Sequence, residues 1–558
     1  MSRILSVSVS IVVFFVTAFA QTGGKVARLS QSEVEKWRED LHYMAQEMAK
    51  RHKNLFHTMT REEFMSAVRN LDRRIPNLSR DEIIVGVARI VAMVHDGHTG
   101  VRGLLYGSHI GFQYYPIGLY LFQDGLFVYA ADPQYAGLVG GRVIAIGNHT
   151  TEQAIAKVKS LVFRDNEMTI KERVPLLLTT PEVLHAVGII DKAGTTTFVV
   201  KQRDKQVRVD VKPVKGPRPS NDNWALGQRF SRLPGWIDVR DTALAATPLW
   251  LRQPDNYFWF KYLEGSRTLY VQYNDVANKA DETVADFAKR VFAFVDAHPV
   301  DRFVIDLRWN TGGNNYLNKP LLLGIIKSPK IDQRGKLFAI IGRRTFSAAQ
   351  NLVNDLQKYT NVLFVGEPTA SNPNFYGDAA TIVLPNSAIN VGVSTLWWQD
   401  LDPRITRSWT APDIAVEIAS EDYKSNNDPA MKLILNYVPK PDITDLLMQA
   451  LSADQLADAI RLYRSFKTER INAYVDTEAR MNNLGYRLIR MKRFEQAIEI
   501  FRLNVESYPE SSNAYDSLAE AYMLNGNKEL AIKNYEISLR LNSRNSSAAE
   551  MLRKLEAR

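Results

Sequence analysis

Three short segments hold side chains whose types and spacing suit acyl-transfer chemistry. The first is His95-Asp96-Gly97-His98-Thr99, directly after an apolar-periodic run over 82–94. An imidazole with an ordinary pKa near 6.5 can take up and return a proton at neutral pH. A histidine beside glycine at a helix end is also a common C-capping turn. His95 and His98 could in principle share a metal ion, but no third ligand stands nearby. In the second segment, Asp306-Leu307-Arg308-Trp309-Asn310-Thr311-Gly312-Gly313, a β-run breaks into two glycines. Paired glycines let main-chain N–H groups face an incoming oxygen, as an oxyanion hole requires, although a strand-ending turn is the plainer use. In the third, Leu337 to Ile341 runs through Gly342-Arg343-Arg344-Thr345-Phe346 into Ser347-Ala348-Ala349-Gln350. This strand–turn–helix pattern sets Ser347 at the positive end of a helix dipole, where amides stabilise an alkoxide and a tetrahedral oxyanion. A serine there also serves as a simple N-cap.

The elements that must position these segments follow from periodicity. Ser30/Glu33, Thr60/Glu63 and Ser79/Glu82 are capping boxes that open helical runs, which predicts an amino-terminal helical domain over 29–100. Period-two runs at Ile117 to Tyr120, Leu126 to Ala130, Arg142 to Ile146, Thr197 to Lys201 and Val207 to Val211 predict a β domain over 115–213. Lys215 to Ser220, with Pro217 and Pro219, reads as a linker. Strands and helices then alternate over 244–438, the order of an α/β domain with crossover connections. From 441 to 558 the chain is helical. A shift of 34 residues aligns Leu484 with Leu518, Gly485 with Ala519, Ala497 with Ala531 and Phe501 with Tyr535, which predicts two tetratricopeptide repeats over 478–545. Ala548 to Leu555 suits the closing helix of such a stack.

Composition bounds the rest. The 558 residues are 45% apolar and 23% charged, which excludes wholesale disorder and a polytopic membrane protein. The formal charge of +9 comes without any Lys/Arg run longer than two, apart from Lys50-Arg51-His52-Lys53, which reads as a solvated basic surface and not as a nucleic-acid groove. The absence of cysteine excludes disulfides, thiolate metal sites and a thiol nucleophile. Residues 1–20, with Arg3, an apolar stretch from Ile11 and Ala18-Phe19-Ala20, read as a signal peptide too short to span a bilayer. A soluble exported chain, periplasmic or secreted, is expected.

Order and wording together resemble the tail-specific, or C-terminal processing, serine peptidase family, over about residues 30 to 440. Asp96-Gly97-His98-Thr99 is similar to its Asp-Gly-His-Thr element, and Asp306 to Gly313 to its Asp-Leu-Arg-x-Asn-x-Gly-Gly strand. Thr345-Phe346-Ser347-Ala348-Ala349 resembles its nucleophile segment, and Val365-Gly366-Glu367-Pro368-Thr369 the segment that follows. The resemblance implies a multidomain α/β fold with a ClpP/crotonase-like core. It implies Ser347 as nucleophile, with the amides of Ala348 and of Gly312 or Gly313 as oxyanion donors, and no cofactor or metal. It also implies a PDZ-like domain over 115–213 that adds a peptide along a sheet edge. Many members place a lysine base twenty-five residues after the serine, where this chain has Asn372, an amide that cannot take the proton. Other members use a histidine, and His98 matches it. Their orienting glutamate before Pro-Asp-Ile is missing ahead of Pro412-Asp413-Ile414, and Asp378 is the expected substitute. The expected partners are an unfolded or peptide substrate and a protein at the tetratricopeptide repeats, with no nucleic acid. A catalytically silent peptide-binding scaffold is the alternative that Asn372 keeps open.

Overall fold

In a computed structural model, the described residues are 29–104, 110–216, 234–556. The signal-peptide expectation and most of the linker lie outside them.

The central body is a six-stranded sheet. Thr268–Tyr273, Arg302–Asp306, Leu337–Ile341, Leu363–Gly366 and the short Ile414–Ala415 run parallel, and Phe258–Leu263 closes one edge antiparallel. The four longer parallel strands read as near-continuous apolar runs because both of their faces are buried. One face packs under helices Val284–Ala297, Lys319–Ile326 and Ala348–Tyr359 through Phe287, Val291, Leu321, Leu352 and Phe303. The other meets helix Pro429–Leu435 through Tyr270, Val304, Phe338 and Ile434. Both the Gly312-Gly313 turn and Ser347 follow carboxyl ends of adjacent parallel strands, where open α/β sheets place their ligand crevice.

A long hairpin leaves this core. Phe375–Val383 pairs antiparallel with Asn390–Trp398, and the latter strand also takes Gly100–Val101 in register Gly100↔Gly392 and Val101↔Val391. Its turn is held by the amino-terminal helix Gln31–Arg51, since Asp40 accepts from the amides of Asn386 and Ser387 at 2.8 Å each. The helical segment that ends at His98 is thereby tied to a strand of the core chain. That segment contains Gln31–Arg51, Arg61–Arg74 and Arg80–Ala92, and all three carry complete capping boxes at the expected Ser30/Glu33, Thr60/Glu63 and Ser79/Glu82.

A second antiparallel sheet has the order Ile117–Phe122, Gly125–Ala131, Arg142–Ile146, Thr196–Gln202, Lys205–Val211, with helices Thr151–Lys159 and Glu167–Leu177 between its strands in sequence. Beyond residue 440 the chain is helical from Ile443–Ser452 to Ser546–Glu556. The residues matched at the 34-residue shift are all buried there. Gly485 is pressed so closely on Phe501 that a Cβ would stand 2.4 Å from its ring.

Candidate active site

Ser347 precedes helix Ala348–Tyr359 and makes no cap bond to it, so the plain N-cap role is not the one its side chain plays. Its backbone sits at φ 54, ψ −126, a region that costs a non-glycine residue about 1–3 kcal/mol and is kept where surrounding structure enforces it. The enforcement is visible. Thr345 Oγ1 donates to Leu307 O at 2.9 Å, the Phe346 amide donates to Asn310 O at 3.1 Å, and the Ser347 amide donates to Ser371 Oγ at 3.1 Å. The strained turn presents Ser347 Oγ to His98 Nε2 at 2.9 Å, across 249 residues of sequence.

The imidazole of His98 lies between Phe346, with centroids 4.4 Å apart, and Phe375, 5.7 Å away and parallel within 9°. Its loop is organised by Asp96, which accepts from the His98 amide at 2.8 Å, from Thr99 Oγ1 at 2.6 Å, and pairs with buried His52 Nε2 at 3.0 Å. Burial of the ring pushes the His98 pKa down from 6.5 to about 4; the Asp96 charge opposes this, and Arg102 and Arg173 reinforce it. Burial acts on Asp96 in the raising direction, but the hydrogen bond from His52 and the His98 charge hold its carboxyl below the ordinary range.

The glycine turn discriminates between the two expected donors. The Gly312 amide is engaged, donating to Asn310 Oδ1 at 2.9 Å, while Gly312 O accepts from Val276 at 2.9 Å. Among the described residues the amides of Gly313 and Ala348 have no partner, the latter because the first turn of a helix leaves its N–H groups unpaired. Gly312 nevertheless has to be glycine: at φ +111, a Cβ there would lie 2.7 Å from Ser347 Cβ and 2.9 Å from Ala348 N.

Asp378 is not brought to His98 by a hydrogen bond. It is exposed on the hairpin at φ 54, and its Oδ2 accepts from Trp398 Nε1 at 2.5 Å. His98 Nδ1 is buried without a hydrogen-bond partner among the described residues. Asp378 acts on the imidazole only through its charge, which raises the His98 pKa slightly against the larger effect of burial. Asn372, at the position where the resemblance would put a lysine, has its Oδ1 buried and without a partner among the described residues. His95 is engaged elsewhere, with Arg164 Nη2 donating to its Nε2 at 2.8 Å. No group of three or more His, Asp or Glu among the described residues is arranged to hold a metal ion.

Three supporting features emerge only from the fold, although Asp96 and Glu367 stand inside segments quoted above. Asp96 organises the loop, Ser371 holds the Ser347 amide, and a buried ion cluster backs the turn at Ser347. In that cluster Arg343 Nε donates to Glu367 Oε2 at 2.7 Å, Lys171 Nζ reaches Glu367 Oε1 at 3.0 Å, and Arg343 Nη1 donates to Leu121 O at 2.7 Å. Burial of Glu367 works upward on its pKa, but Arg343 brings it down to about 2.

No protein-family model and no curated protein matches the chain. Solved structures do. A serine-to-alanine mutant of CPAF superposes with a TM-score of 0.51 at 11% identity, over 73% of this chain and 99% of that one. The photosystem II D1 C-terminal processing protease matches at 11% identity over 69% of this chain and 94% of that one, with a TM-score of 0.33. The first TPR domain of human RPAP3 is similar at 23% identity over 21% of this chain and 87% of that one, with a TM-score of 0.16. The structural neighbours are thus tail-specific proteases, with a tetratricopeptide structure at the carboxyl-terminal end. What the CPAF superposition carries is the fold: a mixed α/β multidomain chain with several sheets and a helical end.

Proposed function

We propose that the chain is an exported serine peptidase that hydrolyses peptide bonds in unfolded or carboxyl-terminal protein segments. Ser347 is the nucleophile and His98 the base. Nε2 takes the proton of Ser347 Oγ as Oγ bonds to the scissile carbonyl carbon. The carbonyl oxygen becomes an oxyanion held by the amides of Gly313 and Ala348. The imidazolium then gives its proton to the leaving amine as the C–N bond breaks, and water hydrolyses the acyl-enzyme by the same steps. The single observation that carries this reading is the 2.9 Å contact between His98 Nε2 and Ser347 Oγ on a strained turn. In the same reading, residues 115–213 are a PDZ-like domain that admits the substrate, 244–438 the catalytic core, 478–545 two tetratricopeptide repeats for a protein partner, and 1–20 a cleaved signal peptide. No helix among the described residues is long and apolar enough to cross a membrane.

A second reading, a silent peptide-binding scaffold, is favoured by one observation, the unpartnered Nδ1 of His98. A fluorophosphonate probe separates the two. The peptidase labels at Ser347, loses labelling in Ser347→Ala and labels far more slowly in His98→Ala. Absence of labelling at every pH between about 6 and 9 assigns the scaffold instead.

A further inference from the structure

Between the second sheet and the core, the segment Arg164-Asp165-Asn166 reaches into the candidate site from behind. Asn166 Nδ2 donates to Thr369 O at 3.1 Å and to Ser408 O at 2.6 Å, and Thr169 Oγ1 donates to Ala370 O at 3.0 Å. These bonds fix the 369–372 loop, whose Ser371 holds the nucleophile's amide. Asp165 turns the other way as well. Its Oδ1 accepts from the Gly97 amide at 2.6 Å, next to His98, and the Asn372 amide also donates to its carboxyl. Its Oδ2 is shut from solvent and has no partner among the described residues. The side-chain oxygen of Asn372, whose main-chain amide donates to that carboxyl, is a buried acceptor that also lacks a donor among the described residues.

We propose that Asp165, as a neutral carboxyl, is a positioning residue that registers His98 on Ser347: Oδ1 ties the histidine loop to the 369–372 loop, and Oδ2–H donates to Asn372 Oδ1. The inference rests on the peptidase reading of that site and names a residue outside its motifs. A protonated carboxyl can donate, and an ionised one cannot. Three surroundings set its protonation near neutrality. Burial, and after it the Asp96 charge on the histidine loop, raise its pKa, the two amides and Arg173 on helix Glu167–Leu177 oppose them, and the balance lies at about 7. Of the other ionisable groups around the two loops, His98 stays neutral down to about 4, and Arg102 donates to His98 O at 3.1 Å. The window between the two pKa values, about 4 and about 7, is where both groups hold the state the site needs.

The test is the rate of fluorophosphonate labelling of full-length protein between about pH 5 and pH 9, with His98 observed in parallel by 15N-histidine NMR assigned with His98→Gln. Wild type should label more slowly above a midpoint near 7. Asp165→Asn keeps the acceptor and a donor, so it should match wild type near pH 6 and hold that rate to pH 9. Asp165→Ala should be at least about tenfold slower throughout, through misplacement of the base. If Asp165→Asn retains the descent, or is as slow as Asp165→Ala while remaining folded, the proposal is overturned. If wild type labels at no pH, the peptidase reading fails instead, and the histidine spectrum decides Asp165 on its own. A His98 signal that moves near pH 7 in wild type and not in Asp165→Asn upholds the registration, and a signal flat through that range ends it.

Discussion

Replacing Gly312 by alanine tests the oxyanion geometry most directly. Carbon atoms in contact sit about 3.5–4.0 Å apart, whereas the new methyl would stand 2.7 Å from Ser347 Cβ. It would also lie 2.9 Å from Ala348 N, within the span of about 2.7–3.1 Å at which that amide would hold an oxyanion. The methyl therefore crowds the Ala348 amide at the distance where the proposed oxyanion would sit. Loss of one such donor slows acyl transfer about 100- to 1,000-fold, or about 3–4 kcal/mol. The backbone at φ +111 adds a folding cost of about 1–3 kcal/mol, which must be told apart from the chemical one. Gly188→Ala supplies the comparison: its φ is +69, but the nearest atom a Cβ would meet is Lys157 Nζ at 3.9 Å. The assay is the rate of fluorophosphonate labelling beside the melting temperature of each variant. Gly188→Ala should lose stability and label at the wild-type rate, and Gly312→Ala should lose both. A folded Gly312→Ala that labels within about threefold of wild type would refute the placement of the oxyanion beside Ala348.

Other consequences follow from burial and packing. Glu367→Gln leaves Arg343 buried without its counter-charge and should destabilise the chain by about 3–5 kcal/mol in denaturant unfolding. In wild type, Glu367 is held at about 2 against an ordinary 4.5, so its contribution, about 3 kcal/mol, is present above pH 4.5 and is lost as pH falls through about 2. His98 also weakens the fold in acid, for a different reason. The unfolded chain takes its proton at about 6.5 and the folded chain at about 4, so the penalty is absent above 6.5 and grows to about 3 kcal/mol as pH falls through 4. His98→Gln should remove that part of the acid loss in melts taken between these pH values. In the helical end, Gly485→Ala should cost about 1–3 kcal/mol of overpacking against Phe501, less about 1 kcal/mol gained in helix propensity, and a rise in melting temperature would contradict the contact.

Much of the architecture is legible in the sequence because it is local. The capping boxes at Ser30, Thr60 and Ser79 each need only two residues three apart, and all three form. The parallel strands announce themselves as apolar runs, and Leu337–Ile341 has the bounds its pattern predicts. The hairpin is longer than its pattern: Thr381 to Leu384 and Ile389 to Ser394 alternate visibly, but the ladder runs on through Phe375 and Trp398. Aromatic side chains beyond the alternation extend it, through pairing that depends on the partner strand. Residue type and place in the chain favour Asp378 as the orienting acid, yet Trp398 Nε1 takes its carboxylate instead. Asp165 gives no signal in the sequence, because its interest comes from burial against Gly97 and Asn372, which no spacing encodes. The strand–turn–helix pattern makes Ser347 open the helix, which in fact begins at Ala348 with Ser347 strained outside it.

That strain and the reach of His98 have a common origin. Thr99 Oγ1 donates to Asp96 and accepts from the Ser394 amide at 3.0 Å, so the histidine loop is stitched to a strand of the core hairpin. Gly100–Val101 then joins that strand as a third member of the sheet. A base delivered by a separate domain ordinarily depends on a hinge to meet its nucleophile. Here the last residues of the helical segment share main-chain hydrogen bonds with the polypeptide that follows Ser371, and Ser371 in turn holds the Ser347 amide. The distance from Nε2 to Oγ is therefore set within one continuous hydrogen-bonded frame. Displacement of the amino-terminal helices has to break the Gly100↔Gly392 ladder before it can part the two side chains. The weak point of the frame is the imidazole's other nitrogen, which is buried and finds no acid among the described residues. On the proposed peptidase reading, catalysis at this site rests on the fixed geometry and the oxyanion donors more than on the strength of the base.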